Sequence, residues 1–255
     1  MAVTGARPRW FLAAVLLPPG TGEEAVAEIF AVLRLTLDEV GAALVGGHTE
    51  VTDAVTRPVV VGQMLGMAED GRVVTTGGAA AGDVVVQVGA VPVEGAAVLA
   101  VEAAASLGGL DAVTVEAAAA ALDVPGISVV EAALTAGRLG ASALHDPTEG
   151  GLASGLHELA DASGVRLVID GGAVQWFESG LAVCRAVGAD PWATLASGCL
   201  LATFRSGDAD AAVRELSAGG HTATVIGRAE AGRGVVVDGT PLPWPERDEV
   251  ARLLS

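Results

Sequence analysis

Apolar and polar positions change period along this chain, and the changes mark out its elements. Trp10 to Leu17 is an unbroken apolar run between Arg9 and Pro18-Pro19-Gly20, too short to cross a bilayer and suited to a buried strand. From Glu23 to Val40 the period becomes helical. Val26, Ile29, Phe30, Leu33 and Leu37 share one face while Glu23, Glu24, Arg34 and Asp38 face out, Thr21 and Glu24 suit the helix start, and Gly41 closes it. Met1 to Gly5 reads as the last turn of a helix ending on glycine. Ala42 to Val45 and Val59 to Leu65 return to strand, so the order strand, helix, strand, strand predicts an α+β unit. Between those strands, Gly46-Gly47-His48-Thr49-Glu50-Val51-Thr52 reads either as a ligand loop or as a turn.

The stretch from Ala68 to Gly82, rich in Gly, Ala and Thr with a hairpin-like Arg72 to Thr76, predicts a domain boundary. The expected domains are 1–76 and 82–255. Beyond it the pattern predicts a strand over 82–88, helices over 94–105, 112–122 and 129–139, a strand over 165–169, a helix over 177–187, and a strand over 200–204. A helix over 209–218, strands over 222–226 and 234–237, and a short terminal helix over 248–254 complete the reading. In the middle lies the stretch from Leu144 to Leu159, a polar turn, His145-Asp146-Pro147-Thr148-Glu149, running through Gly150-Gly151 into a helix with Leu152, Leu156 and Leu159 at i, i+4 and i+7. Locally this is either an anion-holding helix start, whose unpaired N–H groups and carboxylates Asp146 and Glu149 can bind phosphate and metal, or a capping box on an ordinary helix.

Charge and composition narrow the chemistry. With 31 acidic and 14 basic residues and a net charge of -17, the chain is not built to bind nucleic acid or an anionic membrane non-specifically. Hydrophobic residues make up 51%, enough for a substantial core in a folded, soluble, cytoplasmic protein. Every basic residue is Arg, which removes both a Schiff-base lysine and the lysine of a Walker phosphate loop. The cysteines, Cys184 and Cys199, read as small buried residues. His157 reads as solvated or structural, His221 has no visible partner, and His48 and His145 are placed for hydrogen bonding rather than metal ligation. No Ser-His-Asp, His-Glu-x-x-His or Cys-rich zinc spacing argues for a hydrolase.

Gly46-Gly47-His48-Thr49-Glu50, then Gly82-Asp83-Val84-Val85-Val86 with Glu94-Gly95-Ala96-Ala97-Val98-Leu99-Ala100, then His145-Asp146-Pro147-Thr148-Glu149-Gly150-Gly151-Leu152, and finally Ala196-Ser197-Gly198-Cys199-Leu200-Leu201 follow one another in an order that resembles the aminoimidazole ribonucleotide (AIR) synthase superfamily. The central loop is most similar to the hydrogenase maturation branch. The resemblance implies a two-domain α+β subunit, with a shortened N-terminal sheet domain and a C-terminal α/β sandwich domain, that forms a homodimer through its N-terminal sheets. It implies ATP and Mg2+ as cofactors and phosphorylation of a small-molecule substrate, with either cyclo-ligase or simple kinase chemistry as the outcome, and no nucleic acid or membrane partner. Carried over by position, Glu50 and Asp146 are metal candidates, and Gly46, Gly47, Thr49, Thr148, Gly150 and Gly151 are nucleotide candidates.

Three departures bear on these expectations. Family members place an aspartate-rich nucleotide loop before the point where this chain starts. The maturation branch carries its reacting group on a C-terminal cysteine, whereas this chain ends Ala251-Arg252-Leu253-Leu254-Ser255. Gln87-Val88-Gly89 stands where relatives often have Thr and Lys. The competing expectation is therefore a non-catalytic nucleotide-binding or scaffold module.

Overall fold

The computed structural model describes residues 1–68 and 71–255 and comprises two compact units, Met1–Val73 and Val74–Ser255. Residues 69 and 70, inside the stretch read as a boundary, lie outside the described residues.

In the first unit, β1 (Arg7–Leu17), α1 (Glu23–Glu39), β2 (Ala43–Val51) and β3 (Val59–Met67) form a sheet ordered β2-β1-β3. β2 runs parallel to β1, as the α1 crossover requires, and β3 runs antiparallel. The face expected of α1 is the one it buries. Val26, Ile29 and Phe30 pack on Phe11, Ala13, Val15, Leu17 and Leu44. Met1 to Gly5 forms a 3-10 turn over Ala2–Thr4, closed by left-handed Gly5 at φ 74°.

The expected loop at Gly46 to Thr52 is corrected by the structure, because β2 continues through Gly46-Gly47-His48-Thr49-Glu50 in parallel register with Leu12 to Leu16. The glycine pair marks an irregularity in the ladder instead of its end. Pairing shifts between Phe11 and Leu12, Gly47 adopts φ +146°, and a Cβ there would collide with the Ala13 carbonyl. The hairpin expected at Arg72 to Thr76 is also absent. Thr76–Gly78 form a 3-10 turn whose groups bond elsewhere: Ser163 Oγ donates to Thr76 O at 3.0 Å, and Ala79 N donates to Ser163 Oγ at 3.2 Å.

The second unit contains β4 (Asp83–Val88), α2 (Glu94–Glu102), α3 (Ala112–Ala119), α4 (Val130–Arg138), β5 (Ala143–His145), α5 (Gly151–Ser163), β6 (Arg166–Ile169) and α6 (Glu178–Val187). After these come β7 (Leu200–Arg205), α7 (Ala209–Ala218), β8 (Ala223–Glu230), β9 (Gly234–Val237), β10 (Thr240–Pro241) and α8 (Glu249–Leu253). The sheet order is β10-β9-β6-β8-β4-β7-β5, antiparallel throughout except for the β6–β9 pair. Leu152, Leu156 and Leu159 of α5 are fully buried against Leu167, Leu201 and Ile226, each contributing about 2 kcal/mol by removal from water. Leu201 faces α5, so strand alternation turns Leu200, Ala202 and Phe204 to the other side of β7, where α4 and α7 also contact the strand. That two-sided cover explains the unbroken apolar run of β7. α2, α3 and α6 close a second cluster around Leu99, Ala118 and Val183.

Gln87 is fully buried in β4 and acts as a clasp. Its Nε2 donates to Gly89 O at 2.9 Å and to Gln175 O at 3.0 Å, while its Oε1 accepts from Gln175 N at 3.1 Å. Gln87→Leu removes all three bonds and leaves the half-buried Gly89 O and Gln175 N without that partner, while Gln175 O keeps its bond from Val91 N, so it should cost about 2 kcal/mol in urea unfolding. A cost below about 1 kcal/mol would show that the clasp is dispensable.

Candidate functional site

The central motif sits where β5 leaves the sheet edge. His145, paired with Leu201 of β7, ends the strand, and the chain turns through Asp146 to Gly150 into α5. Both glycines are buried and left-handed, Gly150 at φ +75° and Gly151 at φ +66°. Gly151 is pressed against the chain at 192–194, where a Cβ would lie 2.5 Å from Trp192 O, 2.7 Å from Thr194 O and 2.8 Å from Thr194 N. Thr148 O accepts from Gly151 N at 3.0 Å and from Ala196 N at 3.2 Å, which ties the Ala196-Ser197-Gly198 motif to the loop.

The expectation that this helix start offers unpaired N–H groups is corrected at two positions. Gly150 N donates to Asp248 Oδ2 at 2.8 Å, and Gly151 N donates to Thr148 O. The glycines make room for other parts of the same chain. The groups that do face solution are Thr148 and Glu149, both exposed, with Asp146 half-buried beside them. Thr148 Oγ1 donates to Glu149 Oε2 at 2.9 Å. The residue's own backbone N–H, with that hydroxyl, holds the Glu149 carboxyl below the usual carboxylate range.

His145 holds the loop from within. One ring nitrogen lies 2.6 Å from Glu158 Oε2 on α5 and the other 3.4 Å from Thr76 Oγ1. His157 is structural, donating to Leu242 O at 2.9 Å and stacking on Trp244 at 4.9 Å. Trp176 packs on the core and meets Trp192 edge-on.

In the first unit, Glu50 lies on β2 with its carboxylate 3.6 Å from His48 Nε2, both exposed. Strand alternation sends His48 and Glu50 to the sheet face away from α1. Gly47 and Thr49, in register with Ala13 and Val15, sit on the α1 side. Thr49 and Glu50 therefore address opposite faces. Among the described residues, no group of three or more His, Cys, Asp or Glu side chains is gathered for a metal. Each unit by itself carries hard oxygen donors, Glu50 in the first and Asp146 and Thr148 in the second.

Asp248 is the site residue that sequence reasoning missed. The sequence pattern places it inside the terminal helix, whereas in the structure it caps α8, accepting from Val250 N at 2.8 Å, and its bond to Gly150 crosses 98 residues. The cysteines are inert by environment. Burial pushes the Cys199 thiol up to about 12 and raises that of Cys184 as well. Both thiols are buried and stay protonated near neutral pH, so a disulfide reagent should label no cysteine rapidly in the native protein and both after unfolding. Rapid native labelling would contradict the buried placement.

Comparison with known proteins places these features in context. The family model "AIR synthase related protein, N-terminal domain" matches residues 1–68, and "AIR synthase related protein, C-terminal domain" matches residues 80–239. Carbamoyl dehydratase HypE of Rhodobacter capsulatus is 32% identical over 235 residues, covering 91% of this chain and 66% of that protein. A crystal structure of hydrogenase maturation protein HypE in complex with ATP superimposes with a TM-score of 0.81 at 25% identity, covering 98% of this chain and 77% of the other. Thiamine monophosphate kinase from Aquifex aeolicus shares the fold, with a TM-score of 0.73 at 21% identity over 94% of this chain and 76% of its own. The chain thus spans just under two thirds of the length of the Rhodobacter relative. With matches across both units, and with the central motif built at the start of α5, this chain belongs to the AIR synthase related family.

Proposed function

We propose that the chain is an ATP- and magnesium-dependent enzyme that activates a small-molecule substrate by phosphorylation. The observation that carries this reading is the family match over both units together with a superimposable relative described in complex with ATP. Bound ATP would supply the phosphoryl group. Such transfer needs positioning and charge neutralisation more than covalent chemistry from the protein, so a chain without lysine can support it through carboxylate-held magnesium. We assign Glu50 in the first unit and Asp146 in the second to metal binding, and the Thr148 hydroxyl to phosphate. Gly150 and Gly151 act by shaping the loop. We further assign a homodimer built on the sheet face that α1 leaves uncovered.

One observation favours a second reading, a nucleotide-binding scaffold without turnover: the amides of Gly150 and Gly151 are already spent inside the chain. Calorimetric titration of ATP with and without magnesium tests the first reading, and phosphate release separates it from the second. Magnesium-dependent binding should weaken at least ~30-fold in the Glu50→Ala, Asp146→Ala double variant, about 2 kcal/mol. Binding that ignores both magnesium and the substitutions overturns the assignment.

A further inference from the structure

The last segment of the chain returns to the motif loop. After β10, Leu242 packs into the main core, its carbonyl accepts from His157, and Trp244 stacks on the His157 ring at an interplanar angle of 9°. Glu249 Oε2 accepts from Asp190 N at 3.0 Å, and Arg252 donates to Gly188 O at 2.9 Å. Between these anchors Asp248 spends both carboxylate oxygens on backbone amides, Oδ2 on Gly150 and Oδ1 on Val250.

We propose that Asp248 is a positioning residue for the nucleotide site: its carboxylate fixes the left-handed Gly150-Gly151 turn and thereby sets where Asp146 and Thr148 stand. The role rests on the functional reading above. A charge-assisted bond to a buried amide is among the stronger hydrogen bonds available to a loop, and it removes freedom that a ligand would otherwise have to quench on binding. Burial decides between this role and its opposite. A carboxylate that competed with phosphate for the Gly150 N–H would have to be reachable from solution, but Gly150 is buried and Asp248 is only 9% exposed. The bond is internal, so what it controls is the shape of the loop.

Two measurements test this on the full chain. Amide hydrogen exchange across residues 146–154, without nucleotide, should quicken at least ~10-fold in Asp248→Ala and much less in Asp248→Asn, whose amide oxygen can still accept from Gly150. Trp244→Ala, which loosens the same segment without touching the loop, should leave that exchange near the unmodified rate. In calorimetry, Asp248→Ala should weaken magnesium-ATP binding ~10-fold, Asp248→Asn less than ~3-fold, and Trp244→Ala not measurably. Unchanged exchange in Asp248→Ala, equal loss of affinity in Asp248→Ala and Trp244→Ala, or tighter binding in Asp248→Ala would each overturn the proposal. If the unmodified chain binds no nucleotide, the functional reading fails and so does the affinity role, while the exchange comparison still decides whether Asp248 fixes the turn.

Discussion

Gly151→Ala is expected to remove about 4 kcal/mol of stability, a large share of the total available to a domain of this size. Two costs add at this residue. Its φ of +66° is strained for any residue with a side chain, worth about 1 kcal/mol. The larger cost is steric, because the new methyl would meet Trp192 O, Thr194 O and Thr194 N at 2.8 Å or less, and all three are backbone atoms. They have little room to retreat. Asp190 Oδ1 accepts from Trp192 N at 3.0 Å, and Thr194 Oγ1 donates to Asp190 O at 2.7 Å, which pins the opposing segment. Overpacking against fixed atoms costs several kcal/mol. Gly164→Ala is the matched control, since Gly164 closes the same helix with the same φ of +66° but has nothing within 4 Å of the Cβ position. It should lose only about 1 kcal/mol. Urea unfolding of both variants isolates the packing component, and equal losses would show that the 192–194 segment yields.

The same contrast explains how much of the architecture was legible in the sequence. α1 and α5 were readable because each buries one periodic face: Val26, Ile29 and Phe30 in one, Leu152, Leu156 and Leu159 in the other. The strand at 200–205 was readable as an apolar run because both its faces are covered. Reading failed where conformation is set by a distant neighbour. Gly46-Gly47 looked like the end of a strand because glycine pairs usually are, yet β1 supplies a ladder that carries β2 to Val51, with Gly47 absorbing the close approach. β5 and β10, at three and two residues, are too short to show a period and exist because β7 and β9 offer partners. The motif marked the turn that leads into α5 but left the destination of its amides open. Gly150 bonds a carboxylate 98 residues later, and no local pattern encodes such a distance.

Val61→Asp is expected to turn the dimer assigned to this chain into a monomer. α1 covers one face of the first sheet, the face of Phe11, Ala13, Val15 and Leu17. Alternation puts Trp10, Leu12 and Leu16 of β1 on the other face, joined by their antiparallel neighbours Val61 and Leu65, because Ala14 pairs with Val61 and Trp10 with Leu65. Val61 is 59% exposed, Trp10 40% and Leu65 39%, an apolar surface of the kind that marks an interface. Glu50, in register with Leu16, stands on the same face, so a second copy seated there would lie beside one of the proposed metal carboxylates. An aspartate at position 61 would have to enter that interface unpaired, at a cost of at least about 3 kcal/mol per subunit, or more than ~100-fold in the dissociation constant even for one. Sedimentation over a concentration series reads the shift directly. The substitution lies at an exposed position and should leave the monomer fold intact by circular dichroism. A monomeric unmodified chain at tens of micromolar would overturn the dimer assignment, and an aspartate variant that still dimerises would place the interface elsewhere. A monomeric variant that also loses magnesium-dependent ATP binding would tie nucleotide binding to the dimer, and one that keeps it would show that a single subunit suffices.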